Sequence, residues 1–401
     1  MTHNKTNFAI PLAFVGMMFF SLGFALGINS FLIPVLKGTL SLPAGVAYLL
    51  LAATFVPFLI FGYPASKTIS AIGYKRTMAV SFLIFAVAFV LFVFSAKQEN
   101  FMLFLLASFV SGAANAYLQA SVNPYITILG PIESAAKRMS IMGICNKLAW
   151  PVAPLFFALV VADPQNVQIS DLYTPFYIII GVFVLLGLIS LIAPLPEVKA
   201  AGEDTTDASD CPYAANKTSI WQFPHLILGA LTLFIYVGVE TLSLSTAVDY
   251  AKALKNLENP DFYAWLPSIG MVVGYICGIV LIPKYLSQDM AMRICAWLGV
   301  IGSLAIVLLP AEVSIWSIFI MALGCSLMWP ALWPLAMADL GKFTKSGSAL
   351  LTMAIAGGAV IPTVFGFLQE PLGAQGAYWL ALPCFLFILY YGMVGYKIRT
   401  K

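Results

Sequence analysis

Charge and histidine are scarce in this chain of 401 residues: 9% are Asp, Glu, Lys or Arg, and two are His. So little charge, beside 61% hydrophobic residues and a mean hydropathy of +0.95, excludes an ordinary soluble domain. His3 and His225 leave no metal or nucleophile constellation, which argues against an integral membrane enzyme. The six cysteines (Cys145, Cys211, Cys277, Cys295, Cys325 and Cys384) lie far apart and form neither a CxxC pair nor a metal spacing. They read as small apolar packing residues. The net charge of +3 gives no reason to expect nucleic acid, because the charge lies in loops.

What is abundant is apolar length. Runs of about twenty residues, each enough to cross a ~30 Å hydrocarbon core, recur at about 8–36, 45–66, 77–96, 101–130, 139–162, 173–194, 223–250, 261–284, 290–310, 313–340, 346–369 and 375–396. Twelve spans make an all-α polytopic membrane protein in a lipid bilayer. The opening MTHNKTNFAI lacks a cleavage site of small residues, and its apolar run outlasts a signal peptide, so it is kept as the first span.

Loop charge predicts the orientation. With the N-terminus cytoplasmic, the inner side carries fifteen cations: Lys5, Lys67, Lys75, Arg76, Lys137, Arg138, Lys199, Lys217, Lys284, Arg293, Lys342, Lys345, Lys397, Arg399 and Lys401. The outer side carries four: Lys37, Lys97, Lys252 and Lys255. This is a strong positive-inside bias, and both ends are expected in the cytoplasm. The sequons at Asn4 and Asn216 would then face the cytoplasm and read as chance.

The chain divides and repeats. PLPEVKAAGEDTTDASDCPYAANKTSIW (194–221) is polar and aperiodic, which predicts a cytoplasmic linker over 195–221 between six-helix halves at 1–194 and 222–401. Span four ends LQASVNPYITILG (118–130) and span ten ends MWPALWPLAMADLG (328–341); each has a proline shortly before a Leu-Gly exit. The offset from Pro124 to Pro334 carries Ser30 onto Glu240 and Gln119 onto Trp329. The loop GYPASKTISAIGYKR (62–76) has spaced glycines and a basic end, and GIVLIPKYLSQDMAMR (278–293) is its weaker copy. Parallel six-helix repeats of this kind are the architecture of the major facilitator superfamily, with the substrate site near the midplane between the halves.

Ionisable residues inside spans are rare and usually face a cavity or one another. Lys147, in MGICNKLAWPVAP (142–154), is nine residues into span five, roughly 14 Å deep. Glu240, in IYVGVETLSLST (235–246), lies in the outer half of span seven, followed by Ser243, Ser245 and Thr246. An ion pair between them would cross the central cavity. The plainer alternatives are a lysine that only locks two helices and a carboxylate that reaches water. Asp249 and Asp339 sit near span ends, where reaching water is the preferred reading. Asn29, Ser30, Gln119, Asn123 and Asn146 offer donors and acceptors suited to a neutral hydroxyl-rich ligand. Trp150, Trp329 and Trp333 are candidate platforms for a pyranose face, against the alternatives of packing or an interface belt. Asn123 has a second reading, satisfying backbone groups freed by Pro124.

At these residues the chain resembles the fucose:proton symporter family, particularly its bacterial glucose/galactose transporter branch. The resemblance covers all twelve spans and is sharpest in LQASVNPYITILGP, NSFLIP, YVGVE and LGKFTKSGSALLTMAIAGGAVIP (340–362). It implies uptake of a monosaccharide by alternating access across a bacterial inner membrane, driven by a proton or sodium gradient. The fucose symporters carry an aspartate where this chain has Ser30 and a glutamate where it has Gln119, and those carboxylates couple protons there. Gln119 and Glu240 are usual in the glucose/galactose branch; the absence of a carboxylate at span one is unusual even there. Lys147 replaces a neutral residue.

The expectation is therefore a monomeric hexose permease for glucose, galactose or fucose. Its binding residues are Asn29, Gln119, Asn123, Asn146, Lys147, Ser243 and Trp329, its coupling residues are Glu240 and Lys147, and it has no cofactor beyond a transported proton or sodium ion. Alternatives are a cation-independent uniporter in which Lys147 stands in for the cation, a carrier of an amino or acidic sugar, drug efflux, and a non-transporting sugar sensor. The tails are short for a sensor, and the amides favour hydroxyls over an efflux cargo.

Overall fold

The computed structural model describes residues 9–128, 135–161, 163, 166–193, 195, 212–215, 217–254, 259–282, 284–340 and 343–400. Every regular element among them is a helix, as a chain whose backbone must satisfy itself in lipid requires. Ten spanning helices are α1 (Ala9–Thr39), α2 (Ala44–Ile69), α3 (Ala71–Lys97), α4 (Phe101–Ile128), α5 (Ala135–Val160), α6 (Tyr173–Ile192), α7 (Pro224–Ala253), α8 (Trp265–Leu281), α9 (Gln288–Leu308) and α10 (Ala311–Met337). An eleventh apolar stretch, Ala349–Ile398, is 50 residues long, more than twice what one crossing needs. Gly373, with φ 74° and ψ 169°, breaks the helical run near the end of the first of two crossings, α11 (Gly357–Gly376, with Thr344–Ala354 leading into it), and α12 (Ala381–Met393) is the second. The described residues thus hold twelve crossings. A second glycine with positive φ, Gly73 (φ 82°), breaks the helical run at the start of α3, just after the end of α2.

Packing within the first six helices is repeated in the second six. α1 lies along α5, α2 along α4, and α3 along α4 and α6. Six helices later, α7 lies along α11, α8 along α10, and α9 along α10 and α12. The two sets meet where α2 packs on α11 and α5 on α8. Of the expected linker at 195–221, only 195, 212–215 and 217–221 are described residues. Asn4, Asn216 and Cys211 lie outside them.

Close approach of α1 to α5 depends on two glycines. A Cβ at Gly23 would stand 2.0 Å from the Asn146 carbonyl oxygen, and one at Gly27 2.3 Å from that of Trp150. Only hydrogen fits there, and small residues of this kind are how membrane helices bring their backbones together. α7 and α11 use the same device: a Cβ at Gly357 would lie 1.7 Å from the Phe234 carbonyl oxygen.

The bundle is closed at the face where α1 ends. Ser30 Oγ on α1 and Ser245 Oγ on α7 are 3.0 Å apart, a hydrogen bond across the two sets of six. Two turns further along α1, Lys37 pairs with Asp249 of α7. Asp249 also accepts from Tyr48 Oη of α2 at 3.3 Å and from Gln369 Nε2 of α11 at 3.0 Å. This corrects the expectation that Asp249 reaches water. Its side chain is only 4% exposed, because donors on three neighbouring helices converge over the last turns of α7. Hydrogen bonds to a charged group contribute about 1.5–3 kcal/mol each. Asp249→Asn should therefore shift the protein towards opening at this face. A cysteine at Ser30, in a background without the native cysteines, should then react at least several-fold faster with a maleimide applied from that side.

Candidate functional site

Below the closure lies a cavity between the two sets of helices. It is walled by Phe19, Leu22 and Leu26 of α1, Gln119 and Asn123 of α4, and Met139, Ser140, Gly143, Asn146, Lys147 and Trp150 of α5. The opposite wall is Val237, Glu240 and Thr241 of α7, Tyr275 of α8, and Trp329 and Pro330 of α10. Phe55 of α2 and Ile355, just ahead of α11, complete it. The α5 residues fall at intervals of three and four, one helical face. Asn123 and Met139 stand within about one and a half turns of their helix ends at the face where the chain begins, so the cavity runs from mid-span towards that face.

Lys147 Nζ lies 3.1 Å from Glu240 Oε1, with side chains 9% and 11% exposed. The same carboxylate oxygen accepts from Tyr236 Oη at 2.6 Å. The lysine comes from the first six helices, and the carboxylate and phenol from the second, so the pair bridges the cavity. Tyr236 is one turn from Glu240 on α7, an i, i+4 spacing that was visible in the sequence but not singled out. Tyr275 was also missed; it meets α5 at Gly143, where an added Cβ would stand 2.9 Å from the ring.

The other expected site residues divide. Gln119, Asn123, Asn146 and Trp329 line the cavity. Gln119 Nε2 donates to Asn115 Oδ1 at 2.8 Å, and Asn146 Nδ2 donates to the Phe19 carbonyl at 3.1 Å, which ties α5 to α1. Trp329 packs at a tilt against Trp333, with ring centres 5.4 Å apart, and beside Tyr236. Asn29 and Ser243 do not line the cavity. Asn29 is buried between α1 and α4, donating to the Ala25 carbonyl and accepting from Ser108 Oγ at 2.8 Å. Ser243 donates back to the Glu240 carbonyl at 2.8 Å. Both amphiphilic side chains are consumed by helix packing, which the bare residue type does not reveal. α4 continues as a helix through Pro124 to Ile128. Among the described residues, no group of His, Cys, Asp or Glu is placed to hold a metal ion.

A buried ion pair deprived of one partner leaves an unanswered charge, at about 3 kcal/mol or more. Lys147→Met and Glu240→Gln should each lower the thermal midpoint in detergent. The double variant should recover most of that loss, as a double-mutant cycle in thermal unfolding will show.

Comparison with known proteins agrees with this architecture. The family model for the Major Facilitator Superfamily matches residues 14–363. The glucose/galactose transporter of Brucella abortus biovar 1 (strain 9-941) is 30% identical over 408 residues, 99% of this chain and 96% of that protein. The L-fucose-proton symporter of Escherichia coli K12 is 24% identical over 401 residues, 92% of this chain and 88% of that one. Among solved structures, the transporter FucP in its outward conformation superposes with a TM-score of 0.73 at 22% identity, covering 98% of this chain and 99% of that one. Twelve helices in two packed sets of six, a midplane cavity between them and a family match over most of the length lead to one conclusion: this chain belongs to the Major Facilitator Superfamily.

Proposed function

We propose that the protein carries a neutral hexose across the bacterial inner membrane by alternating access, as a cation-coupled monosaccharide permease. The observation that carries this reading is the Lys147–Glu240 pair spanning a cavity whose remaining polar groups are amides, hydroxyls and indoles. Amides donate and accept at once, which suits hydroxyls, and aromatic faces suit the apolar face of a pyranose. The names of the Brucella and Escherichia relatives support a sugar cargo. The positive-inside tally supports cytoplasmic termini, which makes the closed face the outer one and this arrangement inward-facing. A monomer suffices for such a cycle, since one chain contains both halves and the whole cavity, and no cofactor is needed.

The coupling mechanism follows from where the charges sit. Rocking of the halves separates Lys147 from Glu240, and each would then be left in an apolar wall. A proton or sodium ion arriving at Glu240 answers the carboxylate, while sugar hydroxyls answer the ammonium. Loaded and empty carriers can then reorient more readily than a half-loaded one. Ser30 and Gln119, neutral where the fucose symporters carry carboxylates, favour a second reading: Lys147 serves as a permanent internal cation, and transport is uniport.

Uptake of labelled glucose, galactose and fucose into proteoliposomes, under imposed proton or sodium gradients, separates the two. Coupling predicts accumulation above equilibrium with one gradient. Glu240→Gln should abolish that accumulation while leaving sugar exchange within about tenfold of the parent rate. Undiminished accumulation by Glu240→Gln would remove Glu240 from the coupling role. Equilibration without accumulation under either gradient would establish uniport.

A further inference from the structure

We propose that the indole N–H of Trp150 donates a hydrogen bond to one hydroxyl of the transported sugar, making Trp150 a specificity-determining residue at the closed end of the cavity. This rests on the sugar reading above and adds to it which group reads the hydroxyl pattern. Trp150 lines the cavity and is 4% exposed. Its Nε1 is buried with no hydrogen-bond partner. An indole nitrogen is a donor only, so neither tautomer nor rotation can hide a partner. Leaving a buried donor unmade costs about 1–3 kcal/mol, and buried tryptophans usually find an acceptor. Asn115 and Ser268 also bury an unpaired polar atom, but neither lines the cavity.

Its position on α5 explains why a ligand is the missing partner. Trp150 follows Lys147 by three residues and Asn146 by four, on the face that walls the cavity. It is the α5 lining residue nearest the closed face, and its backbone is held against Gly27 of α1. From Gly27, Ser30 and its bond to Ser245 are one turn further towards that face. A sugar seated at this end meets the Lys147 ammonium and the Trp150 N–H on adjacent turns. A hydroxyl accepts from an indole and donates elsewhere, whereas a hydrogen or an ether-linked substituent at the same carbon cannot do both. A site that hydrogen-bonds a hydroxyl discriminates against analogues lacking it, because the protein donor is then left unpaired.

Competition binding of a labelled hexose to the detergent-purified full chain tests this, using parent sugars and their single deoxy analogues on the native protein and Trp150→Phe. The phenyl ring keeps an aromatic face and removes the donor. The parent hexose should weaken about tenfold on Trp150→Phe. One deoxy analogue should be about tenfold weaker than its parent on the native protein, yet bind the native protein and Trp150→Phe equally. Because phenylalanine is smaller, a second variant carries benzothienylalanine at position 150, where sulfur replaces the N–H in an otherwise isosteric ring; it should reproduce the pattern. Equal weakening of the parent and every deoxy analogue, or no weakening at all, would overturn the proposal while leaving the sugar reading intact. Failure of every hexose to bind the native protein would overturn both.

Discussion

A charge placed in an apolar slab must be answered inside it. Of the chain's twenty lysines and arginines, Lys147 is the one placed at the middle of a spanning helix. It pairs with Glu240, on the far wall of the cavity. Much of the bundle serves that meeting. Gly23 and Gly27 let α1 press on the backbone of α5 at Asn146 and Trp150, and Asn146 ties back to Phe19, so the wall bearing Lys147 is held in place. On the other wall, Tyr236 fixes the carboxylate from one turn away.

The sequence carried the architecture well because hydrophobic length, proline-marked repeats and loop charge are local and additive. Twelve runs, a polar linker and two echoing span ends were enough to expect two sets of six. The pairing of Lys147 with Glu240 was also legible, since few other ionisable groups lie that deep. What escaped were side chains whose role depends on a neighbour from another helix. Asn29 and Ser243 have the chemistry of a sugar site, yet one is spent joining α1 to α4 and the other bonds its own helix. Asp249 looked like a span-end residue in contact with water. Only the arrival of Lys37, Tyr48 and Gln369 from three other helices buries it.

The repeat holds in which helices pack together and breaks in chemistry. Equivalent helices pair in both sets, but among the described residues both lysines that bridge the sets come from the first six and both carboxylates from α7. Between these bridges, along α1 and α7, sits the Ser30–Ser245 contact. A short hydroxyl at Ser30 lets α1 and α7 touch directly. It also leaves that contact uncharged, so the charge buried between the two sets is concentrated in the pairs on either side of it.

That concentration has an electrical consequence. Moving one elementary charge across the whole membrane at 100 mV is worth about 2.3 kcal/mol. Lys147 and Glu240 sit together near the midplane and carry opposite charges, so relative displacement of the two walls by a few ångströms moves about a tenth of a charge through the field, roughly 0.2 kcal/mol. Reorientation of the protein itself is thus nearly blind to membrane voltage. In the reading proposed above, voltage dependence of the transport cycle then measures the charge of any ion carried with the cargo.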